Sequence, residues 1–190
     1  MDFQTMRLFF ALLAFAANAA TIGIVAAAIA GRFGSGGAEF RDRMFEAVRG
    51  LELWLAFVVA ATATVGSLYL SEVVHLIPCT FCWYQRIAMY PLVVLLGIAA
   101  WRQDHGIRIY AATLASIGAV IAAYHRLIQV FPDLSGSSCS TGVPCTAAYF
   151  TEFGFVTIPY MALSSFLLIL ALLWIDRFNS PTRQTSSSDA

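Results

Sequence analysis

Ile77-Pro78-Cys79-Thr80-Phe81-Cys82-Trp83-Tyr84-Gln85-Arg86-Ile87 joins a dithiol motif to the start of a long apolar run. Pro78 biases Ile77 toward extended backbone and suits a helix start, so a helix is predicted to begin just after it. Trp83 and Tyr84 favour the membrane–water interface, which sets that start at a bilayer surface. Cys82 then lies near the helix N-terminus, where unsatisfied N–H groups and the helix dipole favour a thiolate. Arg86 is four residues on, on the same face and one turn deeper. Its fixed positive charge would favour the thiolate further and stabilise an anion forming nearby.

Working outward, four more stretches resemble the run at 83–101: roughly 8–30, 51–72, 109–130 and 158–175. A hydrocarbon core of about 30 Å takes about 20 helical residues, so each is long enough to span once its flanks are included. The stretch at 83–101 is the shortest, and Pro91 is a candidate kink within it. The chain is 59% hydrophobic and 12% charged with a mean hydropathy of +0.76, about half the charged fraction of an ordinary soluble domain. The expected fold class is therefore an all-α integral membrane protein. Net charge is zero and no basic tract is present, so nucleic acid is not an expected partner, whereas membrane lipid is.

Arginine placement gives an orientation, all eleven basic residues being arginine. Arg32, Arg41, Arg43, Arg49, Arg102, Arg108, Arg177 and Arg183 fall on one side; Arg7, Arg86 and Arg126 fall on the other. The positive-inside rule puts the first set in the cytoplasm. The N-terminus and both cysteine loops then face outward, where disulfides persist. The stretch at 8–30 exceeds the 7–15 apolar residues of a signal peptide and is read as a retained helix. Gly34-Ser35-Gly36-Gly37 is read as opening a flexible link, and residues 179–190 as a disordered cytoplasmic tail. The expected division is 1–50 for the first helix and its cytoplasmic linker, 51–178 for a bundle, and 179–190 for the tail.

Only two other cysteines occur, Cys139 and Cys145, in a Ser/Gly-rich loop. A disulfide between them would enclose five residues and restrain little of the unfolded chain, making it a poor staple but an accessible exchange site. A pairing of one cysteine from each loop would be a conventional cross-link, and a relay would visit it transiently. Four cysteines also admit a tetrahedral zinc site or two structural bridges, and reverse flow of reducing power is a further reading. Arg86 reads either as an interfacial anchor or as a functional charge, and its spacing from Cys82 favours the second. His125, near the end of the fourth stretch, reads as a proton carrier for a redox cofactor or as a helix–helix hydrogen bond. His75, His105 and Glu72 suggest no role. Residues 147–157 read as a short surface helix or as an aromatic belt.

The motif at 77–87, with Met89-Tyr90-Pro91-Leu92, Tyr124-His125, Val143-Pro144-Cys145 and Thr157-Ile158-Pro159-Tyr160-Met161-Ala162-Leu163, resembles the disulfide-bond formation protein B (DsbB) family, in particular its short Gram-positive-type members. The resemblance covers roughly 51–175. It implies a four-helix transmembrane bundle, to which 8–30 adds one N-terminal transmembrane helix without a counterpart. It also implies a bacterial cytoplasmic-membrane enzyme that oxidises a DsbA-like thioredoxin-fold partner and reduces a membrane quinone, ubiquinone or menaquinone. Carried over by position, Cys139 takes the partner's attack with Cys145 as its mate. The Cys79–Cys82 disulfide reoxidises that pair, Cys82 is the thiolate facing the quinone, and Arg86 binds the quinone oxygen. His125 matches a family histidine near the quinone. The second pair is spaced more closely than in the best-known members, which bears on partner docking.

Overall fold

The structure is a computed structural model that describes residues 3–134 and 143–179. Among the described residues six α-helices follow one another: α1 Phe3–Ala30, α2 Ser35–Ala47, α3 Glu52–Leu68, α4 Thr80–Arg102, α5 Arg108–Val130 and α6 Ile158–Asn179. A π-turn, Tyr69–Val73, extends α3, and short 3-10 turns at His105–Ile107 and Pro132–Leu134 flank α5. Five of the helices are long and apolar enough to cross a bilayer, all except α2. Every apolar stretch of the sequence is thus a helix, because a backbone in hydrocarbon must satisfy its own N–H and C=O groups.

α3, α4, α5 and α6 form a closed four-helix ring in which α3 packs on α4 and α6, and α5 packs on the same two. Close approach is allowed by small residues. Ala111, Ala115, Gly118 and Ala122 form a buried stripe on α5, and a Cβ at Gly118 would lie 2.3 Å from the Phe166 ring. Large apolar side chains face outward instead, among them Val65, Ile109 and Val120, each about two-thirds exposed. Such a surface suits lipid rather than water.

α1 lies against α6 and buries Ala11, Ala14 and Ala27. At its end the chain turns straight into α2, which corrects the expectation of a flexible link at 34–37. Gly37 sits where a Cβ would be 2.1 Å from the Ala30 carbonyl oxygen, so glycine here permits a tight helix–helix corner. α2 also sets Phe45 edge-on to Trp174 of α6, with centroids 5.9 Å apart. α4 runs unbroken through Pro91. The surface helix considered for 147–157 does not form; Phe153 and Gly154 take positive φ and close a turn, leaving an isolated antiparallel bridge between Glu152 and Val156.

At the end of the ring away from the cysteines, Asp176 of α6 is 1% exposed. It accepts from His105 Nδ1 at 2.6 Å and from Arg108 at 3.3 Å. His105 therefore has a structural role that its loop position hid.

Candidate active site

Cys79 is the N-cap of α4, with extended backbone (φ −71°, ψ 170°). Its sulfur accepts the backbone N–H of Cys82 at 3.4 Å, three residues into the helix. A C-x-x-C motif here occupies the positions that a Ser/Thr cap and its third-residue partner would take. The two thiols are free, and their sulfurs lie 3.0 Å apart.

His125 of α5 is 2% exposed and completes the surroundings of Cys79. Its Nε2 lies 3.6 Å from Cys79 Sγ and 3.2 Å from the Cys145 carbonyl oxygen. Gln85, also buried, places its amide nitrogen 3.0 Å from Nδ1. An amide N–H donates, so Nδ1 accepts, and Nε2 with its proton faces the sulfur and the carbonyl. Cys79, just outside the spanning helix, has its thiol lowered from 9.0 to about 4. The S–H of Cys82 is the main cause, burial opposes it, and His125 and the Cys82 N–H reinforce it.

Cys145 is disulfide-bonded, 1% exposed and packed in one cluster with Cys79 and Ile128. Its segment is strapped down on several sides. Tyr149 donates its hydroxyl to the Ile77 carbonyl, Thr157 donates to Gln129 at 2.9 Å, and Arg126 donates to the Phe155 carbonyl at 3.2 Å.

On its other side, Cys82 opens onto a cavity of ≈ 380 Å³ bounded by α1, α3, α4 and α6. Cys82, Gln85, Arg86 and Met89 line it from one face of α4, at the spacing i, i+3, i+4, i+7. Arg86 is held in place by Ser67 of α3: Nε donates to the Ser67 hydroxyl and a terminal nitrogen to the Ser67 carbonyl, both at 2.9 Å. Its guanidinium also stands 5.3 Å from the Trp83 ring centroid. The π-turn directly follows this anchor, as π-turns often do near functional sites. Tyr90 also lines the cavity, and its hydroxyl is buried without a hydrogen-bond partner among the described residues. The remaining walls are mostly apolar.

The sequence that builds this site is matched by known proteins. The family model described as disulfide bond formation protein DsbB covers residues 50–175. The chain belongs to the DsbB family. Disulfide bond formation protein C of Bacillus subtilis is 48% identical over 122 residues, 64% of this chain and 88% of that protein. A probable disulfide formation protein C 2 of Bacillus anthracis is 44% identical over 130 residues, 68% of this chain and 93% of that one. A probable disulfide formation protein of Oceanobacillus iheyensis is 43% identical over 123 residues, 63% and 84% respectively. No solved structure gives a significant match.

This DsbB-family chain is thus a multi-pass membrane protein of disulfide formation. Cys79, Cys82, Arg86, His125 and Cys145 come together at one end of the ring, and Cys139 lies outside the described residues. His125 stands under Cys79 rather than among the residues lining the large cavity. Gln85, Ser67 and Tyr90 were not singled out from sequence. Gln85 carried a readable signal, being an amide on an apolar spanning helix at three residues from Cys82.

Proposed function

We propose that the protein is a membrane dithiol:quinone oxidoreductase. It takes electrons from an extracytoplasmic DsbA-like thioredoxin-fold oxidase and passes them through Cys139–Cys145 and Cys79–Cys82 to ubiquinone or menaquinone. The observation that carries this reading is the division of the C-x-x-C pair. Cys79 packs with Cys145, while Cys82 and Arg86 line the apolar cavity.

The steps balance as dithiol–disulfide exchange. A partner thiolate attacks Cys139, breaks Cys139–Cys145 and releases Cys145. The partner's second thiol then displaces Cys139, leaving the partner oxidised and this pair reduced. Cys145 attacks Cys79 of the Cys79–Cys82 disulfide, and Cys82 departs as a thiolate on the cavity side. Cys139 next attacks Cys145, re-forming Cys139–Cys145 and releasing Cys79. His125 Nε2–H stabilises that sulfur as it becomes anionic, and Gln85 fixes the tautomer.

The cavity suits a quinone. It is of ligand size, largely apolar, and offers the Arg86 guanidinium to a carbonyl oxygen. When bound, the quinone supplies a two-electron, two-proton acceptor. Arg86, held by Ser67, contributes a preorganised positive charge beside Cys82. The bacterial relatives support a bacterial cytoplasmic membrane, and the arginine distribution supports an orientation with the N-terminus and cysteine loops outside and the C-terminus inside.

Cys79, Cys82 and His125 also cluster closely enough to suggest a metal. A tetrahedral zinc with bonds of ≈ 2.3 Å holds two sulfurs about 3.7 Å apart. The observed 3.0 Å is closer to what a pair exchanging a proton or closing a bond requires.

The test is anaerobic turnover of purified protein with a reduced thioredoxin-fold oxidase and either a short-chain ubiquinone or a short-chain menaquinone. Quinone reduction matched to partner oxidation and abolished by Cys82→Ser and by Cys139→Ser is the expected result. Folded protein inactive with both quinones overturns the proposal.

A further inference from the structure

The residues matched by the family model begin at 50, so α1 stands outside them. It nonetheless supplies one side of the cavity beside Cys82. Phe10, Leu13, Ala14 and Ala17 all line that cavity, and their spacing of i, i+3, i+4, i+7 makes them a single helical face. A chance contact of a loosely attached helix would not put a continuous face of two turns there.

The docking of α1 is also specific. Asn18 donates from its amide to the Tyr160 hydroxyl at 3.0 Å and to the Ser164 hydroxyl at 2.9 Å, both on α6. Arg7 pairs with Glu152 of the segment that follows Cys145. Phe15 meets Phe153 and Phe155 edge-on at 5.5 and 5.8 Å. On α3, a Cβ at Gly66 would fall 2.7 Å from the Phe10 ring, so the absence of a side chain at 66 makes room for that ring. In hydrocarbon, such polar pairs and close small-residue contacts are what fix one helix on another.

We propose that α1 is a working wall of the electron-acceptor site. Its Phe10–Leu13–Ala14–Ala17 face determines the width of the planar, isoprenoid-tailed quinone that reaches Cys82 and Arg86. The inference rests on the quinone reading and adds a specificity determinant to it. Small residues at 14 and 17 leave room for the ring, whereas Leu13 limits it. Ile22, 67% exposed on the same helix, faces away and has no part in the site.

The experiment uses the full chain in lipid nanodiscs and measures binding directly, by quinone quenching of tryptophan emission. The probes are a one-isoprene benzoquinone and a one-isoprene naphthoquinone. The expected results are that Ala17→Phe weakens binding of both probes at least tenfold and that Leu13→Ala shifts preference toward the wider naphthoquinone at least threefold. Ile22→Phe should change neither and so corrects for partition into lipid. Leu13→Ala removes atoms and cannot overpack, so it remains informative if Ala17→Phe lowers the thermal unfolding midpoint. If the unsubstituted chain binds and both α1 variants match it, the inference about α1 is overturned while the quinone reading stands. If the unsubstituted chain binds neither probe, both fall.

Discussion

Replacing Cys82 with alanine removes the S–H that the reduced pair donates to Cys79. That donor is the largest cause of the lowered Cys79 thiol, which ionises near pH 4 instead of 9.0. A group whose folded-state value is depressed contributes stability in full above its unfolded value, and loses it as pH falls through the folded one. The window is therefore pH 9 down to pH 4. At pH 7 most of that shift still acts, and at about 1.36 kcal/mol per unit it stabilises the reduced pair by a few kcal/mol over an ordinary dithiol. For a two-electron couple that makes Cys79–Cys82 more oxidising, by on the order of tens of mV. A downstream acceptor pair in a relay needs a shift of that sign.

The assay is alkylation of the reduced protein by iodoacetamide across pH 3–10, with the Cys79 peptide identified by mass spectrometry. The midpoint is read rather than the rate, because a thiolate from a less acidic thiol is intrinsically more nucleophilic. Unsubstituted protein should show a midpoint near pH 4. In Cys82→Ala it should rise by about two units or more, while staying below 9 because His125 still faces the sulfur. A midpoint above pH 7 in the unsubstituted protein, or no movement in the variant, refutes the assignment of the charge to Cys79.

Gln85→Leu leaves His125 Nδ1 without its donor, a loss of about 1–3 kcal/mol. It should cut turnover roughly tenfold, measured as anaerobic quinone reduction at saturating partner and quinone. Gly118→Ala forces a methyl into the Phe166 ring and should cost about 1–3 kcal/mol, seen as a lower thermal unfolding midpoint that Phe166→Leu partly restores. Asp176→Asn breaks a buried ion pair worth about 3–5 kcal/mol when one partner is lost, yet should leave the Cys79 alkylation midpoint unmoved.

The spanning helices were legible because length and composition alone decide them; what the sequence left open were their ends. α4 starts at Thr80, just after Pro78 as expected and ahead of the apolar run at Trp83; the Cys79 sulfur caps it there, a contact that no hydropathy pattern records. Gly34-Ser35-Gly36-Gly37 carries the composition of a linker, yet α2 begins there because Gly37 must pass close to the Ala30 carbonyl. Residues 147–157 had aromatic spacing suited to a surface helix, but Gly154 favours a positive-φ turn and the segment's polar groups are tied to other elements. Cys79, Cys82 and Arg86 were readable because their chemistry and spacing lie in one short motif. Ser67 was not, since its role depends on α3 and α4 being neighbours, which a single chain does not spell out.

The C-x-x-C motif works here because it straddles a helix boundary. Cys79 precedes the helix, so its sulfur turns back toward the loop side, where His125 and the Cys145 segment meet it. Cys82 sits in the first turn, and about 100° of rotation per residue places Gln85, Arg86 and Met89 on its face along the cavity. Both residues thus pack at the Cys145 segment with their sulfurs 3.0 Å apart, but only Cys82 also lines the apolar cavity. In the proposed relay, exchange at Cys79 would release charge at Cys82 without either sulfur having to travel. Arg86 reinforces that direction of release, since its tie to Ser67 fixes a positive charge on the cavity side of the pair. A C-x-x-C placed wholly within a helix would put both sulfurs on one face, and a pair placed wholly in a loop would lack the fixed register to Arg86. The helix start is the position that separates the two sulfurs by function while keeping them within bonding reach.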